Sequence, residues 1–273
     1  MQKIKSYDYN FGTEWDTFHV EYREGYYTSV TDYHKHDFYE INLILSGNIK
    51  ILLKDRFEES KENRMVLTRP GTPHYITCSP DTLYRRLYLV FTDNFISKFL
   101  PEWSGLRKVF GESGNIISLT KEETARLEQL MEQIKCEDTA FGQRLLIYYL
   151  LLHVLRLSEK GKELAIKQAP PYIFEALSYI EENFAQRINF TELAKKLYIG
   201  RTTLMTSFKL HTGITVGEYL CRCRLKNATK LLLNGQTVEV VSVSCGFSDS
   251  SSLIKAFKRV YGTTPHKYIL SHR

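Results

Sequence analysis

Between residues 26 and 91 the chain alternates β-branched and aromatic runs with turn residues: YYTSVTDYH, FYEINLILSG, NIKILL, RMVLTRPGTPH, YITC and LYRRLYLVF. Many short strands at this spacing predict a sandwich or barrel. On a strand of period two, His34, His36, Phe38, Glu40, Asn42 and Ile44 share a face, which brings two histidines and a glutamate to one interior. The period then lengthens. LTKEETARLEQLMEQIKCED and TAFGQRLLIYYLLLHVLRLSEK predict two helices. The first carries an apolar stripe of Leu127, Leu130, Met131 and Ile134, and the second a broad one of Leu145, Leu146, Tyr149, Leu152 and Leu155. SEKGKELAIKQAPP is a polar linker, and PYIFEALSYIEENF opens a further helical region with Pro171 at a helix start. With 273 residues to fold, this pattern divides into residues 1–157, a linker at 158–170 and a second domain at 171–273.

The second domain repeats itself. Phe208, Lys209, Gly213, Thr215 and Tyr219 recur 49 positions later as Phe257, Lys258, Gly262, Thr264 and Tyr268. Upstream the offset is 48, with Leu193 and Ala194 answered by Val241 and Ser242, and Leu197 by Cys245. Each copy reads as helix, tight turn, helix. In the first, Asn189 is the N-cap of NFTELAKKL, Gly200 supplies the turn or the next cap, and RTTLMTSFKLH buries Leu204, Phe208 and the stem of Lys209 or His211. In the second, VEVVSVSC leads to a cap at Ser248 or Asp249 and then to SSSLIKAFKRVYG, with Leu253 and Phe257 inward.

Charge separates the halves. From Pro171 onward there are 14 Lys or Arg against 7 Asp or Glu, a net +7, whereas residues 1–170 hold 23 against 24, a net −1. A basic module on a near-neutral partner points to a polyanion, usually nucleic acid. The longest apolar run, Leu145–Leu155, contains His153 and is well short of the roughly 20 residues of a membrane span. No basic stretch followed by an apolar one opens the chain, so a cytoplasmic protein with no membrane association is expected. The five cysteines are odd in number, and the pair Cys221 and Cys223 lacks zinc spacing, so buried reduced thiols are expected.

The segment from Leu193 to Tyr268 resembles the DNA-binding domain of the AraC/XylS family of bacterial transcription regulators. The likeness runs through Leu193-Ala194, F-K-x-x-T-G, Y-L-x-x-x-R-L-x-x-A with Arg224, Leu225 and Ala228, G-F-x-D, the second F-K and the terminal T-P-x-x-Y. It covers 76 residues in order. It implies two helix-turn-helix units joined by a linker helix over roughly Val216 to Leu233, with recognition helices about 34 Å apart for successive major grooves. By position it makes Arg201, Thr202, Met205 and Thr206 the DNA-contacting residues of the first unit, and Ser250, Ser251, Ile254 and Lys255 those of the second. Gly200 stands where the family usually has a capping serine, and Ser242 where it has alanine.

His34, His36, Glu40 and Gly47 resemble the first motif of the cupin superfamily, H-x-H-x3-E-x6-G. Gly71 and His74 in RPGTPHY resemble the second, although Pro70 precedes the glycine, and Thr28 stands where a glycine is usual six positions before His34. All four ligand positions, His34, His36, Glu40 and His74, are therefore occupied. They can face a small-molecule effector, and can also hold an Fe, Mn, Ni or Zn ion. Ten of the 18 tyrosines and Trp15 lie in the first 91 residues, which suits stacking on a sugar and equally suits a barrel core.

The expected fold is α+β in two domains. A cupin-like β-barrel (jelly roll) with two C-terminal helices precedes an all-α domain with two helix-turn-helix motifs. The expected function is a sequence-specific transcription regulator controlled by a small-molecule effector, a sugar or glycoside among the candidates, with no catalytic residues and no obligatory cofactor. Expected partners are double-stranded DNA, the effector, a second copy of the chain through helices in 120–157, and RNA polymerase if the protein is an activator. Those helices can instead pack only on their own barrel. The alternative function is a metal-dependent cupin enzyme with a DNA-binding tail, and a further one is control by a protein partner through the same domain.

Overall fold

A computed structural model describes residues 7–11, 18–26, 33–79, 81–95, 104–112, 114–160 and 167–271. The chain divides into two units with the main boundary at Gln168/Ala169.

The chain before that boundary contains β1 (Tyr7–Phe11), β2 (Phe18–Tyr26), β3 (Tyr39–Ser46), β4 (Ile49–Leu53), β5 (Arg56–Ser60), β6 (Arg64–Thr68), β7 (His74–Cys78, of which Tyr75–Thr77 group with the second unit), β8 (Leu83–Phe91) and β9 (Asn115–Ser118). Helices α1 (Ser104–Val109), α2 (Lys121–Cys136) and α3 (Ala140–Lys160) and a last strand, β10 (Lys167–Gln168), complete it. Six strands pair in the order β1-β2-β8-β3-β6-β9, and four in the order β10-β5-β4-β7. The chain thus crosses between two sheets several times, after β3, β5, β6 and β7, rather than running round one closed barrel. Gly47 makes the first crossing. Its φ is 126°, and a Cβ there would stand 2.9 Å from Cys78 Sγ, so only glycine fits.

Both faces of β3 are buried, and they differ in chemistry. Ile41, Leu43 and Leu45 join Leu87, Leu89 and Phe91 of β8 and Leu127, Leu130, Met131, Ile134, Ile147, Leu150, Leu151 and Val154 of α2 and α3 in one apolar core. On the other face stand Glu40 and Asn42, whose cross-strand partners are Thr68 with Val90 and Val66 with Tyr88. Helix α2 starts at a capping box in which Thr120 and Glu123 satisfy each other's backbone N–H.

The second unit holds α4 (Pro171–Asn183), α5 (Phe190–Lys196), α6 (Arg201–Thr212), α7 (Val216–Leu233), α8 (Val238–Ser244), α9 (Ser250–Tyr261) and α10 (Pro265–Ser271). Asn189 caps α5 by accepting from Thr191 N at 2.9 Å, and Asp249 caps α9 by accepting from Ser252 N at 2.7 Å. Gly213 and Gly262, repeat partners in the sequence, end α6 and α9 in the left-handed conformation. Arg224 on α7 explains its place in the motif. Its Nε donates to Phe184 O at 2.8 Å and its Nη2 to Gln186 O at 2.9 Å, tying the end of α4 to the linker helix.

Several expectations change. The strand expected from Tyr26 to His34 falls largely outside the described residues. His34 and His36 precede β3 rather than lying on it, because the chain there forms only an isolated bridge, His34 to His74. In α3 the buried stripe is Ile147, Leu150, Leu151 and Val154, while Leu145 and Tyr149 are each 50% exposed. A helix with leucines on most sides offers no periodicity to select its inner face. The segment 158–170 is not irregular throughout: α3 runs on to Lys160, and Lys167–Gln168 pairs with β5. In α6 it is His211 that is buried, and Lys209 is exposed. None of the five cysteines is in a disulfide, but Cys136 is exposed and Cys221 half-buried, so only Cys78, Cys223 and Cys245 meet the expectation.

The two turns between paired helices test the repeat. Tyr198 (φ 56°) and Gly246 (φ 76°) are equivalent, yet Tyr198 is 97% exposed, whereas a Cβ on Gly246 would lie 2.5 Å from Ala185 O. Gly246→Ala should therefore destabilise by about 2 kcal/mol or more. Tyr198→Gly should change stability by less than about 1 kcal/mol, since relief of left-handed strain is offset by a freer unfolded chain. Denaturant unfolding of both variants checks this, and equal losses would contradict it.

Candidate functional site

The segment carrying His34 and His36 is held against the turn before β7 by the backbone. His34 N donates to His74 O at 3.0 Å, His74 N to His34 O at 2.9 Å, and Gly71 N to His36 O at 2.8 Å. These bonds bring His34, His36 and His74 beside Glu40 at the start of β3. One ligand atom from each lies within 4.8 Å of every other. The four residues named from the sequence are therefore one cluster, assembled by loop lacing rather than by strand parity.

Its hydrogen bonds fix the tautomers. His36 Nδ1 donates to Phe38 O at 2.9 Å and His74 Nδ1 to Thr72 O at 3.0 Å, because a carbonyl oxygen can only accept. Each ring thereby turns Nε2 toward Glu40 Oε2, at 2.8 Å for His36 and 3.4 Å for His74. His74 is buried and its Nε2 makes no hydrogen bond among the described residues. A bare imidazole lone pair facing a carboxylate oxygen is repulsive, so the arrangement calls for a cation between them, either a proton on the ring or a metal ion. Nδ1–H to a carbonyl is also the usual way that a ligating histidine is oriented. The residues present fit a divalent metal on this observation.

Glu40 stays ionised despite its position. Burial raises its pKa, but hydrogen bonding to His36 and the charges of His74 and Arg86 outweigh burial and hold it well below the usual carboxylate range. A polar chain leads inward from it. Asn42 Nδ2 donates to Glu40 Oε1 at 2.5 Å, and Arg86 Nη1 donates to Asn42 Oδ1 at 3.2 Å. The Arg86 guanidinium lies 4.9 Å from the centre of the Tyr88 ring. Glu21 and Thr68, directly across from Tyr88 and Glu40 respectively, are buried as well. Sequence reasoning missed Arg86, Glu21 and Thr68. A signal existed in LYRRLYLVF: Arg85 shares the parity of Leu87 and Leu89 and reaches Glu128 of α2 at 2.7 Å, which leaves Arg86 for the opposite face.

In the second unit Arg201, Thr202 and Thr206 of α6 and Ser251 and Lys255 of α9 are exposed, with Met205, Ser250 and Ile254 partly so. All eight sequence-named positions thus have a face outside the helical core, which keeps Leu204, Phe208, Leu253 and Phe257. Thr206 Oγ1 donates to Thr202 O at 2.8 Å, so toward any other molecule it is free only to accept. The two helices differ at their starts. Gly200 leaves the first N–H groups of α6 without a side-chain cap, a terminus suited to phosphate, whereas Asp249 fills that position in α9.

The chain matches two family models. One, described as an AraC-like ligand binding domain, covers residues 19–155, and the other, described as a helix-turn-helix domain, covers residues 193–270. HTH-type transcriptional activator RhaS of Pectobacterium atrosepticum is 26% identical over 247 residues, with 85% of each chain covered. Msm operon regulatory protein of Streptococcus mutans is 22% identical over 242 residues, with 85% of this chain and 84% of that one covered. A crystal structure of an apo ToxT variant from Vibrio cholerae is 15% identical, covers 93% of this chain and 97% of that chain, and has a TM-score of 0.42. The relatives spanning both halves are named as regulators. With one model matching the sensor half and the other the helical half, the chain belongs to the AraC family of DNA-binding transcription regulators, with a small-molecule-binding domain ahead of its helix-turn-helix domain.

Proposed function

We propose that this regulator senses a hydroxyl-rich small molecule, a sugar or glycoside, in the polar interior of residues 1–157, and reads duplex DNA with residues 171–273. The buried row of Glu40, Asn42 and Arg86 carries the reading. A carboxylate, an amide and a guanidinium in sequence carry both acceptors and donors, and buried polar groups of this kind discriminate strongly between ligands that pair them and ligands that do not. His34, His36, Glu40 and His74 form the end of that interior. A divalent Fe, Mn, Ni or Zn ion held by them would supply a Lewis acid to which an effector oxygen binds. The activator names of the relatives support activation through RNA polymerase, and an operator target implies a cytoplasmic protein. Among the described residues no helix is long and apolar enough to cross a membrane.

The exposed side of α3 supports a homodimer through helices in 120–157. Phe141, Leu145 and Tyr149 recur every fourth residue and are 71%, 50% and 50% exposed. A two-fold pairing would bury this stripe and set four recognition helices on DNA.

The DNA reading is tested by fluorescence anisotropy on the protein's own upstream DNA. Arg201→Ala and Lys255→Ala should each weaken binding by about tenfold, and loss of a phosphate contact should lower the salt slope by about 1. Unchanged affinity in both would remove these residues from the interface.

Metal content of the purified protein tests the cluster. About one divalent ion per chain is expected after exposure to Zn, Ni, Mn or Fe, weakened at least tenfold in Glu40→Gln. A chain that neither retains nor is stabilised by any of the four would assign the histidines to proton-bearing partners of Glu40 instead.

Sedimentation of Leu145→Glu checks the pairing face. A shift from dimer to monomer is expected, and an unaltered dimer would place the contact elsewhere.

A further inference from the structure

A cleft lies between the start of α2 and the end of α3. It has a volume of about 280 Å³ and is lined by Glu122, Glu123, Arg126, Leu127, His153, Arg156 and Leu157. This is at the bottom of the range for small-molecule sites, roughly 300–1,000 Å³, so it suits a head group rather than a large ligand. Two guanidiniums and an imidazole converge there over a floor of two leucines. Among the described residues neither Arg126 nor Arg156 is in an ion pair, and His153 Nε2 is buried without a hydrogen-bond partner.

The carboxylates in the wall are already engaged. Glu123 Oε2 accepts from Thr120 N at 2.8 Å in the capping box of α2. Glu122 is held ionised by the backbone N–H groups of the first turn and by Thr120. Both serve the helix start, and among the described residues neither is in an ion pair with the arginines. An unpartnered buried ring nitrogen beside two unpaired guanidiniums lacks one thing, an acceptor with several oxygens.

We propose that this cleft binds a small oxyanion, the phosphate or carboxylate of a metabolite, with Arg126 and Arg156 as its clamp and His153 Nε2–H as the inner donor. Without the anion, burial and then the charges of Arg126 and Arg156 lower the pKa of His153. With it, the two positive neighbours are offset and His153 titrates at higher pH. Arg156 follows Tyr149 and Leu152 along the side of α3 that carries Phe141 and Leu145, so a bound anion also changes the charge beside the proposed pairing stripe.

The test uses the full chain labelled with carbon-13 at histidine Cε1, with the His153 signal assigned by a His153→Gln variant. Inorganic phosphate and acetate are titrated separately at constant pH and ionic strength. A saturable shift of the His153 signal with either is expected, with the stronger of the two identifying the phosphoryl or the carboxylate class. In an Arg126→Gln/Arg156→Gln double variant the apparent affinity should fall at least tenfold. No saturable His153 shift with either anion overturns the proposal, and so does a shift that the double variant leaves unchanged. Movement confined to histidine signals of the Glu40 cluster or the helical unit also overturns it, by placing the anion elsewhere.

Discussion

A carboxylate buried among strands has to be matched by positive charge or it does not stay a carboxylate, and that requirement at Glu40 organises the sensor half. His36 and His74 can meet it only because their Nδ1–H groups are committed to Phe38 O and Thr72 O, which turns both Nε2 atoms inward. The backbone bonds between His34, His36, Gly71 and His74 exist to hold two non-adjacent segments in that relation. Asn42 and Arg86 carry the same compensation deeper, so one buried charge draws a continuous polar path through an otherwise apolar sheet. A ligand with several hydroxyls can exchange its water hydrogen bonds for those of the path with little loss, whereas an apolar one would cover the path without adding a hydrogen bond to it.

The helical half solves a different problem. Its recognition helices must present polar and small side chains to solvent, so their stability comes from what lies behind them. Leu204 and Phe208 behind α6, and Leu253 and Phe257 behind α9, are wholly buried. The turns and caps around them are the repeated residues seen in the sequence. Arg224 fastens the end of α4 to the long helix between the two motifs, and the side chain of Thr215 starts that helix by accepting from Glu218 N. Rigid backing and an exposed face are the two conditions that reading a DNA groove imposes.

The C-terminal unit was legible because each signal there is local. Caps, left-handed glycines and four-residue spacing fix a helix without reference to distant chain, and the linker helix runs over Val216–Leu233 as expected. In the sensor half the identities of the cluster were legible but their route to one point was not. Parity on a single strand suggested the grouping of His34, His36 and Glu40, yet backbone bonds to the Gly71–His74 turn produce it. Arg86 was easily overlooked because two adjacent arginines in an apolar strand face opposite sides, and the register with β3 places Arg86 on the side of Glu40 and Asn42. The inner face of α3 was illegible for the reverse reason, since leucine and tyrosine surround the helix and tertiary packing alone decides which of them are covered.

Effector binding and DNA binding in one chain are linked only if the effector binds one DNA-affinity state better than the other, and that linkage is reciprocal. The most direct test is to measure the dissociation constant for the protein's own upstream DNA with and without each member of a panel of monosaccharides and glycosides, and then the sugar's dissociation constant with and without that DNA. The account predicts that at least one compound changes DNA affinity by about 5- to 150-fold and that DNA changes the affinity for the compound by the same factor. A sugar that binds the sensor half tightly while leaving DNA affinity unchanged, for every sugar that binds, would contradict it.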